Sequence, residues 1–357
     1  LPLIALTTFL MTARSSEAGL KFLVLSAISS AFLLYGMVLI YGLVGSTYLV
    51  DIAGLTAYST NSGIPFGSYS VLLVTILVVA GLGFKISAVP FHMWVPDVYQ
   101  GAPTPVIAFL SVASKAAGFA VLLRIFYVAF PGFEADWAVV FAFVAAFSMT
   151  LGNLVAMVQS NIKRLLGYST IAHAGYILVG LAAVASRIEN GGEVSGPNSI
   201  LFYLCAYAAT NLAAIFAIIG ISNKIGSHEI DDFAGMGKKA PFLAAALTIS
   251  MISLIGIPPT GLFIGKIFLF TAAIQADLAW LAFLGVINSV ISAYYYLRIV
   301  RVMYMTEAGI TGIIGNVPSS FPFKLALSIS TLAILITGVA PGLITWITDA
   351  AASVLLP

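Results

Sequence analysis

Ionisable side chains interrupt one apolar stretch of the sequence in a pattern that could handle protons. Lys85 stands in an apolar run that begins at Val71, and Pro90, His92 and Asp97 follow closely. A charge at bilayer depth costs several kcal/mol unless it faces protein or water, so its default interpretation is functional. A proline break persists in a membrane helix only where neighbours or water satisfy the freed backbone groups. The stretch therefore predicts a site inside a membrane where protons or ions are handled.

A second apolar stretch has the same character. Residues 241–276 are too long for one straight span and too short for two, and Gly-Ile-Pro-Pro-Thr-Gly lies in the middle, at 256–261. Lys266 follows in apolar company. Two broken segments, each with one lysine, are typical of an internally duplicated transporter. Because direct sequence repetition between the two is weak, the duplication is a hypothesis.

Lysine is the residue type that suits proton transfer at such places. Burial disfavours its charged form and a nearby carboxylate favours it again, so its protonation can be switched. We expect Lys85, Lys115 and Lys266 to lie deep in the membrane, whereas all 13 Asp and Glu fall in loops or at segment ends. A structural ion pair is the alternative, with Asp97, a neighbouring chain or the missing upstream part as partner. Lys21 lies near a segment end, where it could reach the interface or join the relay.

Two histidines could connect these lysines, since the unperturbed pKa of histidine is about 6.5. His92 lies at the first break, and His173 lies well inside its segment beside Ser169 and Thr170. Helix packing is the alternative role for each. His228 stands in a charged loop and is expected to be solvated. The run Tyr-Tyr-Tyr at 294–296 is interpreted as interfacial belt and core.

The composition is that of a polytopic membrane protein. Of 357 residues, 61% are hydrophobic and 8% are charged, against about 25% charged in ordinary soluble domains. One cysteine excludes an intrachain disulfide framework and, with three histidines, offers no plausible zinc site. The net charge of +2 gives no support for binding of nucleic acid. The sequence has no Gly-rich phosphate loop in a strand–turn–helix context, so binding of a nucleotide has no support either.

About ten transmembrane segments are predicted, all α-helical, two of them broken. After a partial segment at 1–13 they cover 18–43, 71–101, 103–130, 137–159, 163–186, 198–222, 241–276, 279–305 and 322–348. The sequence begins at Leu1 in a segment too short to span a bilayer, so we expect an upstream part. Alternate loops carry nearly all the loop cations, which marks that side as cytoplasmic. They are Arg14, Lys163, Arg164, Lys224, Lys238, Lys239, Arg298, Arg301 and Lys324.

Three long motifs resemble the antiporter-like membrane subunits of respiratory complex I. They are residues 83–105, residues 161–176 and residues 256–266. Within that group the sequence 91–105 and the run Ala-Tyr-Tyr-Tyr-Leu-Arg at 293–298 are most similar to subunit N (chain 2) of NADH-quinone oxidoreductase. The plant and cyanobacterial subunit 2 is a close relative that also matches. The similarity covers essentially the whole sequence.

The resemblance implies a fourteen-helix fold of two inverted repeats, of which this chain would be helices five to fourteen. Residues 1–130 would complete the first repeat, 131–305 would form the second, and 306–357 would carry the C-terminal transmembrane helix. It also implies a proton path, whose members in this sequence are Lys21, Lys85, Lys115, Lys266, His92 and His173. The family's essential glutamate would lie just upstream of Leu1.

The implied activity is proton translocation coupled electrostatically to quinone reduction elsewhere in the complex. The chain would hold no cofactor, and FMN, iron–sulphur clusters and quinone would belong to other subunits. Its partners would be other membrane-arm subunits and the lipid bilayer, without nucleic acid, in the bacterial plasma membrane. Two alternatives stay open: a subunit of a multi-subunit sodium/proton antiporter, and a structural subunit that no longer conducts.

Overall fold

The protein is a bundle of apolar helices. The computed structural model describes residues 2–54, 68–130, 134–189, 196–307 and 320–355, and seven of the described helices are long and apolar enough to cross a membrane. Three shorter apolar helices belong to the two broken segments, which confirms the predicted all-α architecture. The helices are α1 Pro2–Thr7, α2 Ala13–Val44, α3 Ser68–Ile86, α4 Trp94–Gly101, α5 Thr104–Phe109, α6 Lys115–Ala129, α7 Glu134–Ala156, α8 Ile162–Glu189, α9 Gly196–Ile225, α10 Met236–Lys239, α11 Pro241–Ile255, α12 Gly261–Gln275, α13 Ala279–Met305, α14 Phe321–Val339 and α15 Gly342–Leu355.

The first break separates α3 from α4 around Pro90, as predicted. Neighbouring groups satisfy the backbone that the break frees. The indole N–H of Trp94 donates to the carbonyl oxygen of Phe84 at 3.1 Å, and the backbone N–H of Val89 donates to Ser148 Oγ at 2.9 Å. A break with these partners is tolerated within an apolar bundle.

The second break separates α11 from α12. Helix α11 ends because Gly256 adopts the left-handed conformation, with φ of +86°, which glycine accepts without steric cost. Its N–H closes the last turn on the carbonyl oxygens of Ile252 and Ser253. Pro258 and Pro259 follow, and α12 begins at Gly261.

Two other irregularities were not predicted. A π-helical turn, Leu110–Ser114, lies between α5 and α6 where one continuous helix was expected. The last predicted segment, 322–348, divides into α14 and α15 at Ala340 and Pro341, because proline lacks the N–H that would continue the helix.

Helix α8 runs through the centre of the bundle and packs closely against α7. A Cβ atom at Gly152 would lie 2.6 Å from the backbone nitrogen of Ala172, and one at Gly175 would lie 2.6 Å from that of Met149. Each contact is with main chain, which cannot rotate away. The two glycines therefore set the distance between α7 and α8.

The loop after α9 is bound to the start of α8. The N–H of Ile162 donates to the carbonyl oxygen of His228 at 2.9 Å, and the N–H of Ile230 donates to that of Ser160 at 2.8 Å. His228 Nδ1 lies 2.9 Å from Ser222 Oγ, and the residue is partly buried. The expectation that His228 is simply solvated is therefore wrong. Burial, helped by the charge of Lys163, lowers the pKa of His228 to about 4.

Gly175→Ala is expected to destabilise the bundle, since the added methyl group forces α7 away from α8. Overpacking of this kind costs about 1–3 kcal/mol. The thermal unfolding midpoint of the purified protein in detergent measures the effect. Gly42→Ala is the matched control, because no atom lies within 4 Å of that Cβ position. Equal midpoints for the two variants would contradict the close-packing argument.

His228 makes stability depend on pH in a defined direction. Its pKa in the folded chain, about 4, lies below the ordinary value of 6.5, so the unfolded chain binds the proton more readily. The contribution is therefore complete above pH 6.5 and is lost as the pH falls from 6.5 towards 4. We expect the unfolding midpoint of His228→Gln to decline less than that of the unaltered protein across this window. Parallel declines would show that other groups cause the acid sensitivity.

Candidate functional site

Lys115 is the first residue of α6 and is 1% exposed. Its ammonium donates to the main-chain carbonyl oxygen of Thr170, on α8, at 2.5 Å. It also lies 4.9 Å from the centre of the Tyr207 ring, where the negative face of an aromatic ring attracts a cation. The π-helical turn ends directly before Lys115 and changes the direction in which α6 presents it, a placement common at functional sites.

Lys266 occupies the second break. Its Nζ donates to the carbonyl oxygen of Ile255 at 2.7 Å and to Ser289 Oγ at 3.0 Å, with Leu254 O at 3.4 Å. The last carbonyls of a helix lack intrahelical partners and carry partial negative charge. Because α11 stops at Ile255, the break exposes these carbonyls to the lysine. The ring of Tyr176 lies 4.6 Å away.

His173, on α8, lies between Lys115 and Lys266 and is 1% exposed. Its Nδ1 is 2.7 Å from the hydroxyl of Tyr203, and its Nε2 is 3.4 Å from that of Tyr296. The Tyr207 ring that faces Lys115 also packs against His173, with centroids 5.1 Å apart. The Tyr176 ring that faces Lys266 also packs against His173, with centroids 5.6 Å apart. Lys115, His173 and Lys266 therefore form one buried line.

Hydroxyl groups extend along this line. Thr170 Oγ1 lies 3.0 Å from the Tyr207 hydroxyl and accepts from Tyr99 at 3.2 Å. Near Lys266, Ser289 Oγ donates to the Tyr176 hydroxyl at 3.3 Å. Each oxygen can both donate and accept, which is the property a proton relay requires.

Sequence reasoning did not place the tyrosines of α13 in a polar network. Tyr294 is 64% exposed, whereas Tyr295 and Tyr296 are at most 1% exposed, as expected of a run divided between interfacial belt and core. The two buried tyrosines, however, lie among the polar groups of the interior. The sequence does contain a signal for this polar face, because polar residues recur at helical spacing within an apolar helix and therefore lie on one side of it. They are Asn288, Ser292, Tyr295 and Tyr296.

Asn153 on α7 was also missed, and it fixes the polar face of α13. Its amide nitrogen donates to Asn288 Oδ1 and to the Tyr176 hydroxyl, both at 3.3 Å. Its amide oxygen accepts from the Tyr295 hydroxyl at 2.9 Å. A buried network with each of these groups paired holds its members in one arrangement.

Lys85 lies on the surface of the described bundle, so its depth in the membrane and its place in the proton path stay predictions. Its side chain is exposed, although Phe84 and Ile86 on either side are buried. Successive helical residues point about 100° apart, so the face that packs Ile86 against Gly118 turns Lys85 outward. His92 is partly buried at the first break, and its Nδ1 has no hydrogen-bond partner among the described residues.

Lys21 belongs to an ion-pair network at the side predicted to be cytoplasmic. It pairs with Glu17 at 2.6 Å and with Asp97 at 2.7 Å, while Asp97 also pairs with Arg164 at 2.7 Å. These side chains are partly exposed, and such pairs contribute about 0–1 kcal/mol each. Asp97 is therefore the partner of Lys21 and Arg164, and among the described contacts it does not reach the lysines of the buried line.

A third buried lysine, Lys163, had been assigned to a basic loop. It is 4% exposed, and its Nζ donates to the carbonyl oxygen of Ala102, at the end of α4, at 2.7 Å. Lys115, Lys163 and Lys266 thus all bind main-chain carbonyls, and in the described part of the chain none pairs with a carboxylate. A search of the same residues finds no group of three His, Cys, Asp or Glu side chains placed to hold a metal ion.

Comparison with known proteins identifies the fold and the motifs as those of one family. Residues 1–292 match the family described as NADH:quinone oxidoreductase/Mrp antiporter, transmembrane. NADH-quinone oxidoreductase subunit N of Dehalococcoides mccartyi is 47% identical over 340 residues, which are 94% of this chain and 69% of that protein. Subunit N of Trichlorobacter lovleyi is 46% identical, over 93% of this chain and 65% of that protein. The chain thus spans about two thirds of the length of these relatives.

Solved structures agree with this relationship. A chain of respiratory complex I from Thermus thermophilus is 34% identical, with a TM-score of 0.79, over 97% of this chain and 71% of that chain. A chain of the Mrp complex from Dietzia sp. is 22% identical with a TM-score of 0.85, over 100% of this chain and 72% of that chain, and shares the fold. The resemblance predicted from the three motifs is confirmed, and this chain belongs to the NADH:quinone oxidoreductase/Mrp antiporter family of transmembrane proteins.

Proposed function

We propose that this chain is a proton-translocating membrane-arm subunit of a bacterial NADH-quinone oxidoreductase. The observation that carries the proposal is the buried line of Lys115, His173 and Lys266. The relatives at 43–47% identity over most of the chain are almost all named subunit N of that enzyme. Its partners are then other membrane-arm subunits and the lipid of the plasma membrane, and FMN, iron–sulphur clusters and quinone lie in other subunits.

The contacts of the two lysines suit them to proton exchange. Each ammonium is held by a carbonyl oxygen, which stays in place whether or not the lysine carries its proton. Among the described residues, loss of that proton leaves no carboxylate unpaired, so both protonation states of the lysine are tolerated there. At an effective dielectric constant of about 20, a unit charge about 4 Å away changes the energy of the ammonium by about 4 kcal/mol. A charge displaced along the membrane arm can therefore drive the exchange.

The proposed route follows the hydroxyl groups. A proton leaves Lys115 towards Thr170 and Tyr207, reaches His173, and continues through Tyr176 and Ser289 to Lys266. Imidazole suits the middle position because it accepts at one nitrogen and donates at the other. Where an aromatic ring, rather than a hydroxyl group, lies between two residues of this route, water entering the bundle carries the proton.

The roles of Lys85, His92 and Lys21 remain predictions. Lys85 is exposed in this chain, so its proposed role requires contact with a protein segment beyond the described residues. His92 has the free nitrogen that a shuttle needs. Lys21 would act by moving Asp97, with which it pairs. The two inverted repeats, 1–130 and 131–305, followed by 306–357, are likewise proposed.

Removing either Lys115 or Lys266, the two ends of the buried line, is expected to interrupt the proposed proton path. In the full-length protein assembled in its complex, Lys115→Ala and Lys266→Ala should each lower proton pumping and the coupled quinone reduction at least several-fold, with assembly retained. Vesicle acidification and donor oxidation, followed together, measure this. Lys324→Ala removes an exposed cation as a control. Unchanged rates of both proton pumping and donor oxidation in the two lysine variants would refute the proposal, and sodium-dependent transport without redox activity would favour the antiporter alternative.

The hydroxyl of Tyr203 is expected to matter more than its ring. Tyr203→Phe keeps the packing but leaves Nδ1 of His173 without its partner at 2.7 Å, and an unsatisfied buried group costs about 1–3 kcal/mol. We expect the pumping rate to fall about tenfold and the thermal midpoint to fall modestly, in line with that cost. Tyr294→Phe, on the exposed face of α13, is the matched control. Equal pumping rates in the two variants would show that the His173–Tyr203 contact does not contribute to proton transfer.

A further inference from the structure

A groove of about 930 Å³ opens beside the C-terminal half of α13. It runs between Thr248 of α11 and residues 294–306. The ten residue-to-residue steps from Tyr294 to Tyr304 correspond to about 15 Å of helix, which is half the thickness of a bilayer's hydrocarbon core. The groove is thus as long as one leaflet is deep.

One end of the groove is basic. Arg298 and Arg301 both line it. Arg298 is engaged, since it donates to the carbonyl oxygen of Gln159 at 3.3 Å and lies 3.8 Å from Asp231. Arg301 is exposed and has no hydrogen-bond or ion-pair partner among the described residues.

Further cations surround the same end. Helix α10 packs on Tyr304, because a Cβ at Gly237 would lie 2.5 Å from that ring. The next two residues, Lys238 and Lys239, are exposed. Of the acidic side chains nearby, Asp231 faces Arg298 and Asp232 binds Ser227, while Glu307 follows the end of α13. Cations therefore outnumber anions around the opening.

The remainder of the groove suits an acyl chain. Tyr294 and Leu297, which precede the arginines on α13, are 64% and 44% exposed and form an apolar wall on the membrane side of them. Tyr304 and Met305, also exposed, lie beyond Arg301, and tyrosine is the residue type enriched at the level of lipid headgroups. Arginines with an apolar wall on their membrane side match a phospholipid headgroup and the first part of its acyl chain.

We propose that this groove binds an anionic phospholipid of the leaflet on the basic side of the chain, with its phosphate on the guanidinium of Arg301. The planar fork of arginine donates two parallel hydrogen bonds to a phosphate. Basic pockets between transmembrane helices on this side are known to bind anionic headgroups. The site shares no residue with the buried lysine line, so it stands whether or not the chain moves protons.

Photo-crosslinking tests the site directly. The full-length chain, purified within its complex, is incubated with phosphatidylglycerol or phosphatidylcholine carrying the same diazirine-labelled acyl chain, and adducts are mapped by peptide mass spectrometry. We expect adducts within 294–306 at about tenfold higher yield for phosphatidylglycerol, because both lipids carry the phosphate but Arg301 and the neighbouring cations repel the choline group of phosphatidylcholine. Arg301→Gln should reduce that yield to the phosphatidylcholine level, and Arg301→Lys should retain part of it.

Arg14→Gln is the matched control, because it removes an exposed charge on the same predicted side and should leave the yield unchanged. Retained donor oxidation shows that each variant is assembled. Equal yields for the two lipids, or no effect of Arg301→Gln, would overturn the proposal. So would adducts that map to another subunit, or adducts that appear only when residues 308–319 are replaced by a Gly–Ser linker, which would identify those partners as the occupant.

Discussion

The interior of this protein depends on ammonium groups bound to main-chain carbonyls. Lys266 closes the end of α11, Lys163 closes the end of α4, and Lys115 binds a carbonyl within α8. A buried charge without a carboxylate partner is ordinarily too costly for an apolar bundle. A helix end supplies oriented dipoles that reduce this cost, and the second break brings the end of α11 to Lys266 inside the bundle. The broken helix and the buried lysine are one arrangement there, in which each explains the other, whereas Lys115 binds a carbonyl of the unbroken α8.

The same interactions account for the tyrosines. Two aromatic rings, Tyr207 and Tyr176, each contact both a lysine and His173. Their hydroxyls bind Thr170, Ser289 and Asn153, so each ring stabilises a cation with its face and continues the polar path with its edge. An aliphatic side chain could fill the space but supply neither function.

The sequence was sufficient to predict the helical class, both breaks and two of the three buried lysines. Segment length and proline or glycine position determine these features locally. It was not sufficient to predict that Lys85 is exposed, because the direction of a side chain changes by about 100° from one residue of α3 to the next. Nor was it sufficient to predict that Lys163 is buried, because this lysine stands among the basic residues assigned to a loop. Tyr295 and Asn153 were missed because their partners lie 142 residues apart. Pairings over such distances are set by packing, and single-sequence patterns do not contain them.

The π-helical turn before Lys115 has a mechanical consequence. A π turn holds one residue more than an α turn, so it can shift along a helix by exchanging hydrogen bonds, without unfolding it. If the turn moved past position 115, Lys115 would rotate by about 100° and its ammonium would leave Thr170. A register shift of one residue would thus disconnect the lysine from the line, and the reverse shift would reconnect it. The π-helical turn thus gives α6 two hydrogen-bonding registers, one residue apart, that differ in whether Lys115 contacts the buried line.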